Sequence, residues 1–325
     1  SGFLGATYSE VGNGLLIDDI YQGERDHPRT LGPLLKPGVD IEIGDIITGV
    51  DGRSISSKAD LGVALTMKAG DQVLIEFTRA GEEMKEIVTP VSSGTVSRLR
   101  YADWVQSRRD AVAEKTDDKF GYLHLRAMGA SDLESFVRDF YEHFDKDGLI
   151  IDVRGNRGGN VDSVILANLL RRAWAFWNGL EGGPVYTNMQ QAFRGHLIIL
   201  IDEGTYSDGE TFSAGAKALD LAPLLGTRTA GAGIWLSDRN RLSDRGQARV
   251  AEYGQFGLDG RWLVEGRGVS PDIEVENLPH ASYLGEDAQL DAAIAWLEEK
   301  LTTDPIPELV PQPIPPVGEY GQDVE

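Results

Sequence analysis

The sequence predicts two folds in series, a small mainly β segment followed by an α/β domain. Three observations carry this. Up to about Gly94, short strand-like runs alternate with glycine-rich turns. From Val91 to Arg98 the chain is polar and reads as a linker. Beyond it, apolar runs of strand length alternate with longer stretches of helical periodicity, the pattern of a layered α/β domain. At 325 residues the chain can build two separate cores. The expected division is 1–94, 95–302 and a tail from 303 to 325.

In the first segment the strand-like runs are Gly14–Ile17, Asp45–Val50 and Gln72–Phe77, with turn signals at Asp51-Gly52 and Ala80-Gly81. Lys58–Met67 is expected to be helical, capped by Ser56-Ser57, with Leu61, Ala64 and Leu65 on its apolar face. In the second segment Phe120–Leu125 reads as a strand. Ser131-Asp132-Leu133-Glu134 is a capping-box pattern. The helix after it places Leu133, Phe136, Val137, Phe140 and Phe144 on one face, which reads as core. Leu149–Val153 and His196–Ile201 are expected as buried strands, and Val161–Trp177 and Asp208–Leu219 as helices. From Pro305 the chain is proline-rich and acidic and is expected either to lie extended over the surface or to be disordered.

Composition narrows the function classes. Net charge is −21, which opposes phosphate backbones and anionic lipid, so neither nucleic acid nor membrane is an expected partner. No apolar run approaches the roughly 18 to 20 residues needed to span a bilayer. No signal-peptide pattern is visible, and a cytoplasmic location is expected. Cysteine is absent, which excludes disulfides, thiolate nucleophiles and zinc–thiolate sites. No histidine motif for a metal is present, so neither metal nor cofactor is expected.

Two strand-to-helix junctions could carry chemistry. The first is Ile151-Asp152-Val153-Arg154-Gly155-Asn156-Arg157-Gly158-Gly159-Asn160. Its glycines let backbone N–H groups turn toward a ligand, and the following helix adds partial positive charge, as an oxyanion requires. A tight turn with no ligand fits the same residues. The second runs from Ile201 through Ser207 to Glu210. Ser207 there fits a nucleophile handed from strand to helix, and equally fits a helix N-cap. A nucleophilic serine needs a base. None of His27, His124, His143, His196 and His280 has a partner identifiable in the sequence.

The residues also resemble a known family. Gly121–Leu125, Ile150–Arg154 with Gly158-Gly159-Asn160, Asp202–Glu210, and Glu265–Asp272 occur in the order found in the tricorn branch of the C-terminal-processing peptidases. The resemblance runs from about Tyr101 to Leu301. It implies an α/β catalytic domain of the ClpP/crotonase-like type, a twisted sheet with flanking helices. The first segment resembles a PDZ domain of bacterial proteases. Gly2-Phe3-Leu4-Gly5 is similar to its peptide-carboxylate loop, and Ile43-Gly44-Asp45-Ile46-Ile47 with Val50-Asp51-Gly52 to its core motif.

The resemblance implies roles. Ser207 matches the nucleophile, Asp208 and Gly159 (or Gly158) the oxyanion amides, and Glu265 the glutamate that supports the catalytic histidine. It also implies peptide substrates and a homo-oligomer, a hexamer in that family. In the family the histidine precedes the PDZ-like domain, and related processing peptidases use a lysine after the serine. The corresponding stretch here, Thr229-Ala230-Gly231-Ala232-Gly233, has no lysine. The expectation is a serine peptidase whose base comes from an N-terminal segment outside this chain, so that the chain alone is nearly inactive. The alternative is a peptide-binding module without catalysis, acting through the PDZ-like domain, since retinoid-binding proteins use the same fold as a binder. An acyl-CoA enzyme on a crotonase-like fold is a third reading, but no motif places the acidic pair it needs.

Overall fold

The computed structural model describes residues 1–24, 30–179 and 183–313. The chain falls into two compact units, Ser1–Asp110 and Ala111–Glu325.

The first unit orders β1 (Ala6–Val11), β2 (Gly14–Ile20), β3 (Ile46–Val50), β4 (Arg53–Ser54), α1 (Lys58–Ala64), β5 (Val73–Arg79) and β6 (Glu82–Val88). Its antiparallel sheet runs β1-β2-β3-β5-β6, with β4 beside β3, so β1 is an edge strand. Alternation in β5 puts Val73, Ile75 and Phe77 in a core with Leu15, Ile17, Ile47 and Val50. Asp45 is buried and grips this unit: Arg79 donates to both its oxygens at 2.8 and 2.9 Å, and Glu42 N at 2.8 Å. Ser57 caps α1, and Asp60 completes a capping box.

The expected linker is instead the start of a helix. α2 (Ser93–Lys115) begins where Val91–Arg98 was read as connecting chain, and the expected boundary at Gly94 is its second residue. Ser92 accounts for the start: its Oγ accepts from Thr95 N at 3.3 Å, as an N-cap hydroxyl does. A polar run signals a loop only where no cap precedes it.

The second unit continues with β7 (Phe120–His124), α3 (Ala130–His143), β8 (Gly148–Asp152), α4 (Asp162–Leu169), β9 (Phe176–Trp177), β10 (Tyr186–Thr187), β11 (His196–Ile201), α5 (Asp208–Ala218), β12 (Leu224–Gly226), β13 (Trp235–Arg241), β14 (Gln247–Tyr253), β15 (Ile273–Glu274), α6 (Pro279–Tyr283) and α7 (Ala288–Thr303). Its main sheet is wholly parallel in the order β15-β12-β11-β8-β7. β7, β8 and β11 are apolar along nearly their whole length, as strands covered on both faces must be. The strands around Ile47 and Ile151 belong to different sheets.

Three local expectations need correction. The cap of α3 is at Gly129, not Ser131, and only half of a capping box forms: Asp132 Oδ2 accepts from Gly129 N at 3.1 Å, while glycine has no side chain to return the bond. Val137 lies on the exposed side of α3, while Phe136 and Phe140 are buried. The helix expected to reach Trp177 stops at Leu169, and Phe176-Trp177 pairs with Tyr186-Thr187 as a short ribbon. Arg172 helps end that helix by donating to Leu169 O at 3.2 Å.

Beyond α7, Asp304 O lies 2.8 Å from His196 Nε2, and Pro307 O accepts from Arg194 Nη2 at 2.6 Å. Thus the start of the proline-rich stretch is tied down. Residues 314–325 lie outside the described residues.

Candidate active site

Adjacent parallel strands deliver the two junctions to one place. β8 pairs with β11 in register, Ile151 beside Ile199 and Asp152 beside Leu200. Their following turns therefore leave the same end of the sheet side by side, where ligands of open α/β sheets bind. Val153 O accepts from Thr205 Oγ1 at 2.9 Å, Asn156 O from Tyr206 N at 2.9 Å, and Asp202 Oδ1 from Gly155 N at 2.8 Å. These bonds lock the turns together.

Ser207 is half-buried at the N-cap of α5. Its backbone has φ +54° and ψ −118°, a conformation rare for any residue but glycine. Its hydroxyl makes no capping bond and, among the described residues, no hydrogen bond at all. Capping falls to Glu210, whose Oε2 accepts from Ser207 N at 3.0 Å. The two readings of the sequence are thus separated: Ser207 occupies the cap position while its side chain stays unspent.

Gly158 sits directly against the serine. A Cβ there would lie 2.5 Å from Ser207 Cβ, 3.0 Å from its Oγ and 3.2 Å from Asp208 N. Gly159 is exposed, and a Cβ on it would lie 1.9 Å from Met128 O. Only glycine fits either position.

The amides of the two turns can be followed one by one. In the first, Gly155 N goes to Asp202, Asn156 N to Val153 O, Arg157 N to Arg126 O, Gly158 N to Asn156 Oδ1 at 2.8 Å, Asn160 N to Met128 O and Val161 N to Asp208 Oδ2. Gly159 N has no partner among the described residues. In the second, Asp202 N goes to Thr205 Oγ1, Gly204 N to Asp202, Thr205 N to Asp202 O, Tyr206 N to Asn156 O and Ser207 N to Glu210, while the exposed Glu203 has no N–H partner among the described residues. Asp208 N, the first amide of α5, also has none. So of Gly158 and Gly159, only Gly159 keeps a free N–H.

The Asp208 side chain does separate work. Its Oδ2 accepts from Val161 N at 2.8 Å and Asp162 N at 3.2 Å at the start of α4. Burial, with the nearby Asp162 carboxylate, pushes its pKa up to about 6. Below the site, Arg154 donates to buried Asp152 and to Asp287, and Tyr122 OH donates to Asp152 at 2.8 Å. Burial opposes the Asp152 charge, but Arg154 outweighs it and holds the carboxyl below the usual range.

Glu265 is exposed, and its Oε2 accepts from Gly233 N at 2.9 Å and Ile234 N at 3.0 Å. It makes no bond to Ser207. No histidine among the described residues hydrogen-bonds Ser207. His124 Nε2 lies 3.0 Å from Arg154 O, and burial lowers its pKa. His196 is held by Asp304 O. His27 lies outside the described residues.

In the first unit, Gly2 N donates to Leu65 O at 2.7 Å and Phe3 N to Val91 O at 2.9 Å. Of the expected carboxylate loop, Leu4 and Gly5 have no N–H partner among the described residues.

Glu210 and Thr229 were not singled out in the sequence. A glutamate three residues after a cap serine is a recognisable signal, but its further partners come from a loop some twenty residues later.

Comparison with known proteins agrees with this arrangement. Residues 119–275 match the model of peptidase family S41, and residues 2–93 that of the tricorn protease PDZ domain. Tricorn protease homolog 1 of Streptomyces coelicolor is 35% identical over 298 residues, covering 90% of this chain and 28% of that protein. Tricorn protease of Thermoplasma acidophilum is 31% identical over 303 residues, covering 93% of this chain and 28% of that protein. The crystal structure of the tricorn protease superposes with a TM-score of 0.86 at 30% identity, covering 93% of this chain and 29% of that one. The chain thus spans under a third of the length of these relatives. It belongs to the tricorn branch of peptidase family S41, with a tricorn-type PDZ domain ahead of its peptidase domain.

Proposed function

We propose that this chain supplies the nucleophile and oxyanion hole of a serine peptidase acting on short peptides. The observation that carries it is the coincidence of an unbonded Ser207 hydroxyl with an unspent amide on each junction, Gly159 N on the first and Asp208 N, at the start of α5, on the second. Ser207 Oγ attacks the peptide carbonyl carbon as its proton passes to the base. The carbonyl oxygen takes up negative charge and accepts from the two N–H groups, aided by the positive end of α5. The amine leaves with a proton from the base, and water then releases the acyl group from Ser207.

The base comes from an additional segment, and Glu265 orients it. His124 and His196 are engaged with backbone carbonyls, which supports a source elsewhere. A relative from Sulfurisphaera tokodaii, 34% identical, is named a putative tricorn-like protease C-terminal subunit, so a chain of this kind can be one part of an assembly. We extend the proposal to a homo-oligomer in the cytoplasm.

A second reading is peptide binding through the first unit. It is favoured by β1, an edge strand beside α1 that is open to pairing with an extended peptide; the Leu4 and Gly5 amides would meet a terminal carboxylate.

Fluorophosphonate labelling separates the two. The peptidase reading expects slow labelling that maps to Ser207 and vanishes in Ser207→Ala. Peptide binding with no labelling at any concentration of reagent would leave the module reading in its place.

A further inference from the structure

Glu210 does more than cap a helix. Its side chain is fully buried, and among the described residues it pairs with no lysine or arginine. A capping-box glutamate ordinarily reaches back to one N–H at an accessible helix start. Here the carboxylate takes four donors. Oε2 accepts from Ser207 N at 3.0 Å and Ala232 N at 2.8 Å. Oε1 accepts from Thr229 Oγ1 at 2.6 Å and Gly231 N at 2.6 Å. Sinking a carboxylate into the interior is expensive unless its oxygens are fully satisfied. A helix start alone does not call for that cost.

What the four bonds hold explains them. On one side is Ser207, in a backbone conformation that costs a non-glycine residue on the order of 1 to 3 kcal/mol and persists only where its surroundings enforce it. Its N–H is held by the Glu210 side chain, and its C=O accepts from Glu210 N at 2.9 Å and Thr211 N at 3.0 Å. Both backbone groups of Ser207 are therefore pinned while its hydroxyl is left unbonded. On the other side is the loop from Thr229 to Ile234. Glu210 holds the amides of Gly231 and Ala232, and Glu265 holds the next two, Gly233 and Ile234. Two carboxylates thus grip consecutive amides of one loop, and the buried one also grips the serine.

We infer that Glu210 is the positioning residue of this site: it enforces the Ser207 backbone conformation and fixes the Glu265 loop relative to it. This rests on the peptidase reading of Ser207. Glutamine tests it directly. An amide offers one oxygen, so in either orientation two of the four donors meet an NH2 group.

The experiment measures the rate of Ser207 modification by a fluorophosphonate, on the whole chain, with the urea unfolding curve of each variant. Glu210→Gln is expected to fall on the order of 10²-fold in rate, the scale of a misplaced reacting group. Phe136→Leu, a core change away from the site, provides a control of lowered stability and is expected to keep the wild-type rate. Thr229→Val is expected to slow modification, and Thr229→Ser to recover most of that loss. A folded Glu210→Gln protein modified as fast as wild type overturns the inference. So does a slowing no larger than Phe136→Leu shows at matched stability. If Glu210→Gln does not fold, the Thr229 pair decides, and equal rates for Val and Ser overturn it. A wild-type chain never modified at Ser207 is a different result: it removes the peptidase reading itself, and the positioning role with it.

Discussion

Two glycines of one turn permit a controlled test of how tightly the site is built. Gly155 and Gly159 both follow β8, and both can be changed to alanine. At Gly155 the new methyl meets nothing within 4 Å, so the cost is that of a left-handed backbone, φ +64°, for a residue with a Cβ. That is about 1 to 2 kcal/mol. At Gly159 the methyl would lie 1.9 Å from Met128 O, which is backbone and cannot swing aside. Met128 must move, and its bonds to Gly158 O at 2.8 Å and from Asn160 N at 2.9 Å go with it. Each buried bond left unmade costs about 1 to 3 kcal/mol. Gly159→Ala should therefore cost about 2 to 6 kcal/mol, more than Gly155→Ala. Urea unfolding with a shared m-value measures both. Equal losses, or a larger one at Gly155, would refute the claim that close approach of backbone, and not turn conformation, fixes Gly159.

Arg154→Met should cost about 3 to 5 kcal/mol, because it leaves Asp152 buried without its cation. The same pair sets the acid limb in the wild type: Asp152 and Asp287 are both held low, Asp287 at about 2, so their stabilisation is present above the ordinary carboxyl range and fades as pH falls toward 2. A chain equally stable at pH 3 and pH 6 would contradict that. Asp208 has the opposite sign. Raised to about 6, it favours the folded state when protonated, and that contribution is lost as pH rises from about 4 through 6. Asn still offers an oxygen to Val161 and Asp162, so Asp208→Asn should gain on the order of 1 to 3 kcal/mol over wild type at pH 8 and little at pH 4. Unfolding curves at both pH values check it.

The strands of the catalytic sheet were legible because their composition is extreme. Leu197–Ile201 is an unbroken apolar run between His196 and Asp202, and the strand's limits in the structure, His196–Ile201, are those expected. α2 was illegible for the opposite reason. Its start depends on one serine hydroxyl and not on any apolar stripe. Ser207, Asp208 and the two glycines were legible as junction residues, since strand-to-turn-to-helix is written locally. Which glycine keeps its N–H was not, because the answer lies in Asn156 folding back on Gly158. The partners of Glu210 and Glu265 are separated from them by about twenty to thirty residues, and no periodicity connects such positions.

The acidic character of the chain takes on a structural meaning at this site. Asp202, Asp208, Glu210 and Glu265 face the two junctions and the loop behind them, and each accepts from backbone amides in place of pairing with a cation. A carboxylate that accepts two or more N–H groups fixes a turn more firmly than a long, flexible cationic side chain, because its partners are themselves backbone. Such a scheme also consumes amides. Every amide so consumed is withdrawn from any ligand, and the ones left over define where a ligand can be held. With Asn156 taking Gly158 and Glu210 taking Ser207, the unspent groups among the described residues include Gly159 on one turn and Asp208 at the start of the helix after the next. On the proposed reading, a hole for an oxyanion would be made by subtraction: the carboxylates that rigidify the turns also decide which N–H groups remain for a ligand.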